Sequence, residues 1–103
     1  MKESDWKIFI QIKDKAIEKC CSSVLEKSQS VISNKNDDAH KRYLNLYEHI
    51  DKSNRKIADL FDGHSRSKAW LQLLMIRREG FADEELVKQL SEEFQNHTNP
   101  NKV

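Results

Sequence analysis

The chain of 103 residues has the length of one domain, and its 37% apolar residues suffice for one hydrophobic core. It contains only 2 glycines and 1 proline, which argues against an all-β fold, because such a fold needs turn-forming residues about every ten positions. The formal net charge is +1, and acidic and basic residues are evenly mixed along the chain. The sequence therefore lacks the basic arm that favours binding to nucleic acid or to an anionic membrane.

The first predicted helix covers residues 4–33 and begins at Ser4, which can cap it ahead of the acidic Asp5. Ile8 and Ile12 form a second apolar stripe, so the front half of this helix is apolar on more than one side. A run rich in Ser, Asn and Asp then indicates a helix end and a loop. The main apolar stripe repeats about every 3.6 residues and consists of Trp6, Phe9, Ile10, Ile17, Cys20, Val24 and Val31.

The second predicted helix covers residues 37–62, with Asn36 or Asp37 as its cap and Gly63 at its end. Asn54 stands on its apolar stripe, where a polar residue either fixes the register between helices or is simply solvated. Oppositely charged residues four apart mark the other side as a solvated face. The stripe consists of Ala39, Tyr43, Leu46, Tyr47, Ile50, Ile57, Leu60 and Phe61.

The third predicted helix covers residues 65–79 and is the most apolar part of the chain. Between Ala69 and Ile76 only Gln72 is polar. Periodicity alone is also compatible with a buried strand, but the Leu, Met and Ala content, a serine cap before the segment and Gly80 after it favour a helix. A helix that is apolar nearly all round is normally covered on most sides. We expect the other helices to wrap it, or another chain to complete its burial.

The fourth predicted helix covers residues 83–96 and opens with Asp83, Glu84 and Glu85, the charge that a helix N-terminus prefers. Residues 97–103 have no periodicity and are expected to fray. The predicted fold is therefore all-α. It is a compact bundle of four main helices in a single domain over residues 1–96, with the third helix most buried.

No residue pattern points to catalysis, a metal or a cofactor. Cys20 and Cys21 are adjacent and would diverge by about 100° on a helix, so we expect two reduced thiols in place of a disulfide. Ser65 and Lys68 have the Ser-x-x-Lys spacing of some acyl-transfer enzymes, but the further motifs of those enzymes are absent, and a helix cap followed by basic residues explains the pattern. The four histidines, at positions 40, 49, 64 and 97, lack metal-ligand spacing. We expect no enzyme.

The N-terminus lacks the apolar run of a signal peptide, and no segment has the roughly 20 apolar residues of a membrane span. The sequence therefore predicts a cytoplasmic protein that does not insert into a membrane. The surplus of apolar side chains on the first and third helices predicts a protein–protein interaction or regulatory module, which either self-associates, as in a homodimer, or binds one protein partner. The candidate interface residues are Trp6, Ile8, Trp70 and Met75, since aromatic residues and Met are enriched in interfaces.

The alternative hypothesis is nucleic-acid binding by a composite basic face. The third and fourth helices superficially resemble a helix-turn-helix, but the second of them is acidic, which argues against its insertion into a DNA groove. Basic residues from different helices must then converge in space. The candidates are Lys41, Arg42, Arg55, Lys56, Arg77 and Arg78.

Overall fold

A computed structural model describes residues 1–102. The predicted all-α fold is confirmed, because every regular element in this range is helical and none is a strand. The α-helices are α1 (Glu3–Ile32), α2 (Ala39–Phe61), α3 (Ala69–Arg78), α4 (Glu84–Val87) and α5 (Glu92–His97), with 3-10 turns at Arg66–Lys68 and Pro100–Lys102. The cap of α2 is Asp38, whose side chain accepts a hydrogen bond from the Lys41 backbone N–H, in place of the predicted Asn36 or Asp37.

The fourth predicted helix, residues 83–96, is two short helices in the structure. Asp83 caps α4 by accepting from the backbone N–H groups of Glu85 and Leu86. Helix α4 ends at Val87 and residues 88–90 turn the chain, after which the side chain of Ser91 caps α5 by accepting from the Phe94 N–H. The break lets both short helices turn their apolar residues toward the core.

The two long helices, α1 and α2, run antiparallel and are joined by a short loop. The side chain of Arg42 donates to the carbonyl of Ile32 (2.8 Å), and the ring Nε2 of His49 lies 3.0 Å from the carbonyl oxygen of Val24. The later residue of α1 thus contacts the earlier residue of α2, as expected of antiparallel helices. The molecule is correspondingly elongated, 53 Å long and 24 by 23 Å across.

The buried core lies at one end of this elongated molecule. Its members are Phe9, Ile12, Ala16, Cys20, Leu60, Phe61, Ala69, Leu73, Ile76, Ala82, Leu86, Val87, Leu90 and Phe94. None of them falls between residues 21 and 59. We therefore call residues 1–20 and 57–102 the head, where α3, α4 and α5 pack on the long helices. We call residues 21–56 the arm, which is a two-helix hairpin.

Helix α3 is covered on one side and open on the other. Ala69, Leu73 and Ile76 have no exposed surface, whereas Trp70 and Leu71 are 37% and 44% exposed. The other helices of this chain therefore do not cover α3 nearly all round, and completion of its burial by another chain stays a prediction. On the outer side the Trp70 ring contacts the His97 ring of α5, and Leu71 is largely open to solvent.

The end of the chain, predicted to fray from residue 97, packs on the head in the structure. Thr98 has no exposed surface, and its hydroxyl donates to the carbonyl of Phe94 (2.8 Å). The guanidinium of Arg77 donates to the carbonyl of Gln95 (2.8 Å) and to the Thr98 hydroxyl oxygen (3.1 Å). The last residue of that predicted tail, Val103, lies outside the described residues. The single-domain boundary at residue 96 stays a prediction.

Candidate interaction surface

The four predicted interface residues do not form one open surface. Trp6, Ile8 and Met75 are partly buried and pack against the core. Only Trp70 belongs to the exposed large apolar side chains, and its ring lies 4.7 Å from the ring of His97. The surplus of apolar side chains on the front of α1 is thus used inside the head.

Trp6 in particular is held by its own chain. Its ring stacks on Phe9 at a centroid distance of 5.7 Å and approaches the His64 ring at 4.7 Å. The Arg66 guanidinium covers it at 5.1 Å from the ring centroid, a cation–π contact, and pairs with Glu3 at 2.7 Å. These neighbours fix the tryptophan as a structural residue of the head.

In the arm, the contact between α1 and α2 lacks the buried apolar side chains that usually join a helix pair. Ser28 is the only buried residue of the arm, and its hydroxyl donates to the carbonyl of Val24, one turn earlier on the same helix (2.8 Å). The His49 ring also bonds this carbonyl, which requires that its Nε2 carry the hydrogen. The apolar residues of the contact are all only half-buried, namely Val24, Val31, Leu46 and Ile50. The contact therefore contains little buried apolar surface.

The large apolar side chains of the arm lie outside this contact. Leu25, Ile32, Tyr43 and Tyr47 are 63%, 50%, 66% and 68% exposed, and Leu44 beside them is 48% exposed. Single exposed apolar residues are ordinary, but a concentration of them marks an interaction site. Most of the exposed large apolar side chains among the described residues belong to the arm.

Helical spacing places these side chains on a common face. We call the set the arm face. It consists of Cys21, Leu25, Ser28 and Ile32 on α1 and of Tyr43, Tyr47, Ile50 and Asn54 on α2, with the buried Ser28 and the half-buried Ile50 at its inner edge beside the contact. On each helix the members are four, three and four residues apart, so they share one side of that helix. None of them carries a formal charge.

The two halves of the arm face lie on the same side of the hairpin. Ser28 follows the contact residue Val24 by four positions on α1, and Ile50 follows the contact residue Leu46 by four positions on α2. Since the two helices run in opposite directions, an equal step along each one rotates toward the same side of the pair. The arm therefore presents one continuous uncharged surface. Sequence periodicity assigns part of it, Tyr43, Tyr47 and Ile50, to a core stripe.

A second candidate lies in the head, where a depression of about 770 Å³ is lined by residues of both chain ends. Its buried acid, Asp5, accepts from the backbone N–H of Ser91 (2.7 Å) and from its hydroxyl (2.6 Å). Both carboxylate oxygens are thus engaged in holding the start of α5 against α1. This arrangement explains Asp5 as a structural residue, and the arm face is the stronger candidate.

The buried amine of Lys13 likewise closes the fold at the end of α2. Its Nζ donates to the carbonyl of Gly63 (2.6 Å) and lies 3.4 Å from Nδ1 of His64. Burial lowers the pKa of the Lys13 amine, against the opposing effect of Asp14 and Asp62. The amine thereby bonds a carbonyl of the loop that follows α2.

The residues of the predicted basic face are largely neutralised by their own neighbours. Lys41 pairs with Asp37, Arg55 with Asp51 and Lys56 with Glu79, at distances of 3.4, 3.0 and 3.1 Å. Arg42 and Arg77 donate to backbone carbonyls, and the Nε atom of each is buried. These contacts give no support to a shared positive surface of the kind that binds phosphates.

The two thiols differ in burial, and we expect them to differ in reactivity. Cys20 is 3% exposed, and burial, together with the neighbouring Cys21, raises the pKa of its thiol. Because the thiolate is the reactive form of a cysteine, Cys21 should be alkylated by iodoacetamide well before Cys20. The chain concentration is kept submicromolar, so that association between chains does not cover either thiol. Mass spectrometry of the digested protein measures both rates.

The matched control for this prediction is Cys21→Ser, which should retain only the slow reaction. In concentrated guanidinium the two cysteines of the wild-type chain should react alike. Equal rates for the two thiols in the folded protein would contradict the placement of Cys20 in the core.

No described helix combines the length and the apolar character needed to cross a membrane. Among the same residues, His, Cys, Asp and Glu side chains nowhere cluster in the threes or more that could hold a metal ion. Comparisons of the chain with protein-family models, with curated proteins and with solved structures find no match.

Proposed function

We propose that the chain is a non-enzymatic protein–protein interaction module whose docking surface is the arm face. One observation carries the proposal. The contact between the two helices of the arm buries little apolar surface, whereas the large apolar side chains of the arm lie outside it in water. This is the reverse of the arrangement that stabilises an isolated hairpin, and it is the arrangement expected of a surface that another protein covers.

The energetic gain from covering this surface is substantial. Each of Leu25, Ile32, Tyr43 and Tyr47 has half or more of its surface in water. Covering them contributes roughly 1–2 kcal/mol per side chain before the cost of association is counted. Tyrosine adds to this, because its ring supplies a large contact area while its hydroxyl can stay at the wet edge. The face also lacks charges whose burial would oppose binding.

The proposal moves the interface away from Trp6, Ile8 and Met75, which support the head. The predicted function as an interaction module is kept, but the residues proposed to contact the partner are those of the arm face. Trp70 lies on the head, beside His97, and is not part of the arm face.

Site-specific photo-crosslinking in cells that express the chain tests the proposal. A photoreactive amino acid at Tyr47, on the arm face, should give one discrete protein adduct. The same amino acid at Lys52, which is exposed on another side of α2, is the matched control and should give little or none. Failure to form an adduct from Tyr47, or equal adducts from both positions, would refute the arm face as a docking surface.

A further inference from the structure

We infer that the arm face binds the arm face of a second copy of this chain, so that two hairpins form a four-helix bundle about a two-fold axis. The inference rests on the proposed function, because it uses the same surface and names its occupant. Three properties of the face support a second copy: its charge, its size and the state of its polar groups.

The charge of the face selects against a charged partner. With no Asp, Glu, Lys or Arg among its members, the face offers no partner for a charge, and a buried unpaired charge costs several kcal/mol. A second copy brings an equally uncharged surface. The nearest charged groups on α2 are already paired within the arm, Lys52 with Glu48 at 2.8 Å and Arg55 with Asp51 at 3.0 Å. The chain as a whole has a net charge of +1, so two copies repel each other only weakly.

The size of the face fits a weak but specific dimer. Twelve helical residues span about 18 Å, and two packed helices are about 20 Å wide. Because side chains project from this footprint, its solvent-accessible area is larger than its flat area, about 600 Å² per copy. The pair would bury about 1,200 Å², which is at the lower end of specific interfaces. We therefore expect dissociation in the micromolar range.

The polar groups along the inner edge of the face do not oppose its burial. The Ser28 hydroxyl, on the face, and the His49 ring, on the other side of the contact, already bond the carbonyl of Val24. A second hairpin laid over the face leaves these bonds in place, so closure of the dimer costs no hydrogen bond there. An isologous interface also uses one patch twice, which the matching spacing on α1 and α2 allows.

Sedimentation of the purified full chain tests this inference. The wild-type chain should be a dimer well above micromolar concentration and a monomer on dilution. Leu25→Lys, on the arm face, should raise the dissociation constant at least tenfold. Leu71→Lys makes the same change at an exposed leucine of the head, 44% exposed against 63% for Leu25, and should leave dimerisation unchanged. Circular dichroism should show the same helix content in both variants as in the wild-type chain, since neither side chain belongs to the core.

The alkylation of Cys21 supplies a second measurement on the unmodified chain. Cys21 lies at the head end of the arm face, so its alkylation should slow as the concentration rises through dimerisation, while Cys20 stays slow throughout. A chain that remains monomeric at high concentration overturns the inference. So does a dimer that Leu71→Lys weakens as much as Leu25→Lys, or a dimer that leaves the Cys21 rate unchanged. A monomer whose Tyr47 position still crosslinks to a different protein leaves the proposed function standing, so the two proposals can fail separately.

Discussion

Replacing Leu73 by alanine should lower the free energy of unfolding by about 3 kcal/mol, whereas the same replacement at Leu71 should lower it by less than about 1 kcal/mol. Leu73 has no exposed surface and lies in the core, while Leu71 is 44% exposed. The first change removes buried methyl groups and leaves a cavity between α1 and α3. The second removes a side chain that is already largely in water.

Urea denaturation followed by circular dichroism measures both losses. The two leucines are two positions apart on α3, so helix propensity and the chemical change are the same and only the surroundings differ. Comparable losses at the two positions would contradict the one-sided burial of this helix. They would mean that Leu71 is also covered.

The difference between these leucines marks a limit of sequence reasoning. The residue types of Ala69–Ile76 are enough to predict a helix, because Leu, Met and Ala favour it and glycine ends it. They do not show which side is covered, because a segment with a single polar residue has no solvated stripe to orient it. The covered side is set by the positions of α1 and α2, which come from other parts of the chain.

The arm could not be recognised from periodicity for a related reason. The apolar stripe of α2 continues through Tyr43, Tyr47 and Ile50 as if all of it were core. A core forms only where other elements reach, and α3 with its ten residues extends about 15 Å along an α1 of about 45 Å. The signal that was present is the polar character of Ser28, the buried residue of the arm, and of His49, whose ring bonds α1.

The break between α4 and α5 was also invisible to a periodic pattern. Leu86, Val87, Leu90 and Phe94 keep helical spacing across it. Ser91 is held by Asp5, which lies 86 positions earlier in the chain. A contact between residues so far apart in the sequence cannot be inferred from the local pattern of apolar residues, and a serine inside a helical segment is in itself ordinary.

The Asp5→Asn substitution should therefore lower the free energy of unfolding by about 2–3 kcal/mol, because the buried carboxylate accepts two hydrogen bonds from Ser91. The amide that replaces it offers one acceptor oxygen, and its NH₂ group faces another donor. Asp14→Asn is the matched control, since Asp14 is exposed on the same helix, and it should change the free energy by no more than about 0.5 kcal/mol. Urea denaturation again supplies the measurement.

A double-mutant cycle with Ser91→Ala separates this contact from a general loss of stability. Alanine removes the hydroxyl that donates to Asp5 and that caps α5 by accepting from Phe94. If the two side chains act together, the double variant should lose less than the sum of the single losses, by about 1 kcal/mol or more. Additive losses would contradict the coupling between the carboxylate and the Ser91 hydroxyl, and would leave the hydrogen bond from the Ser91 backbone N–H as the tie between Asp5 and the start of α5.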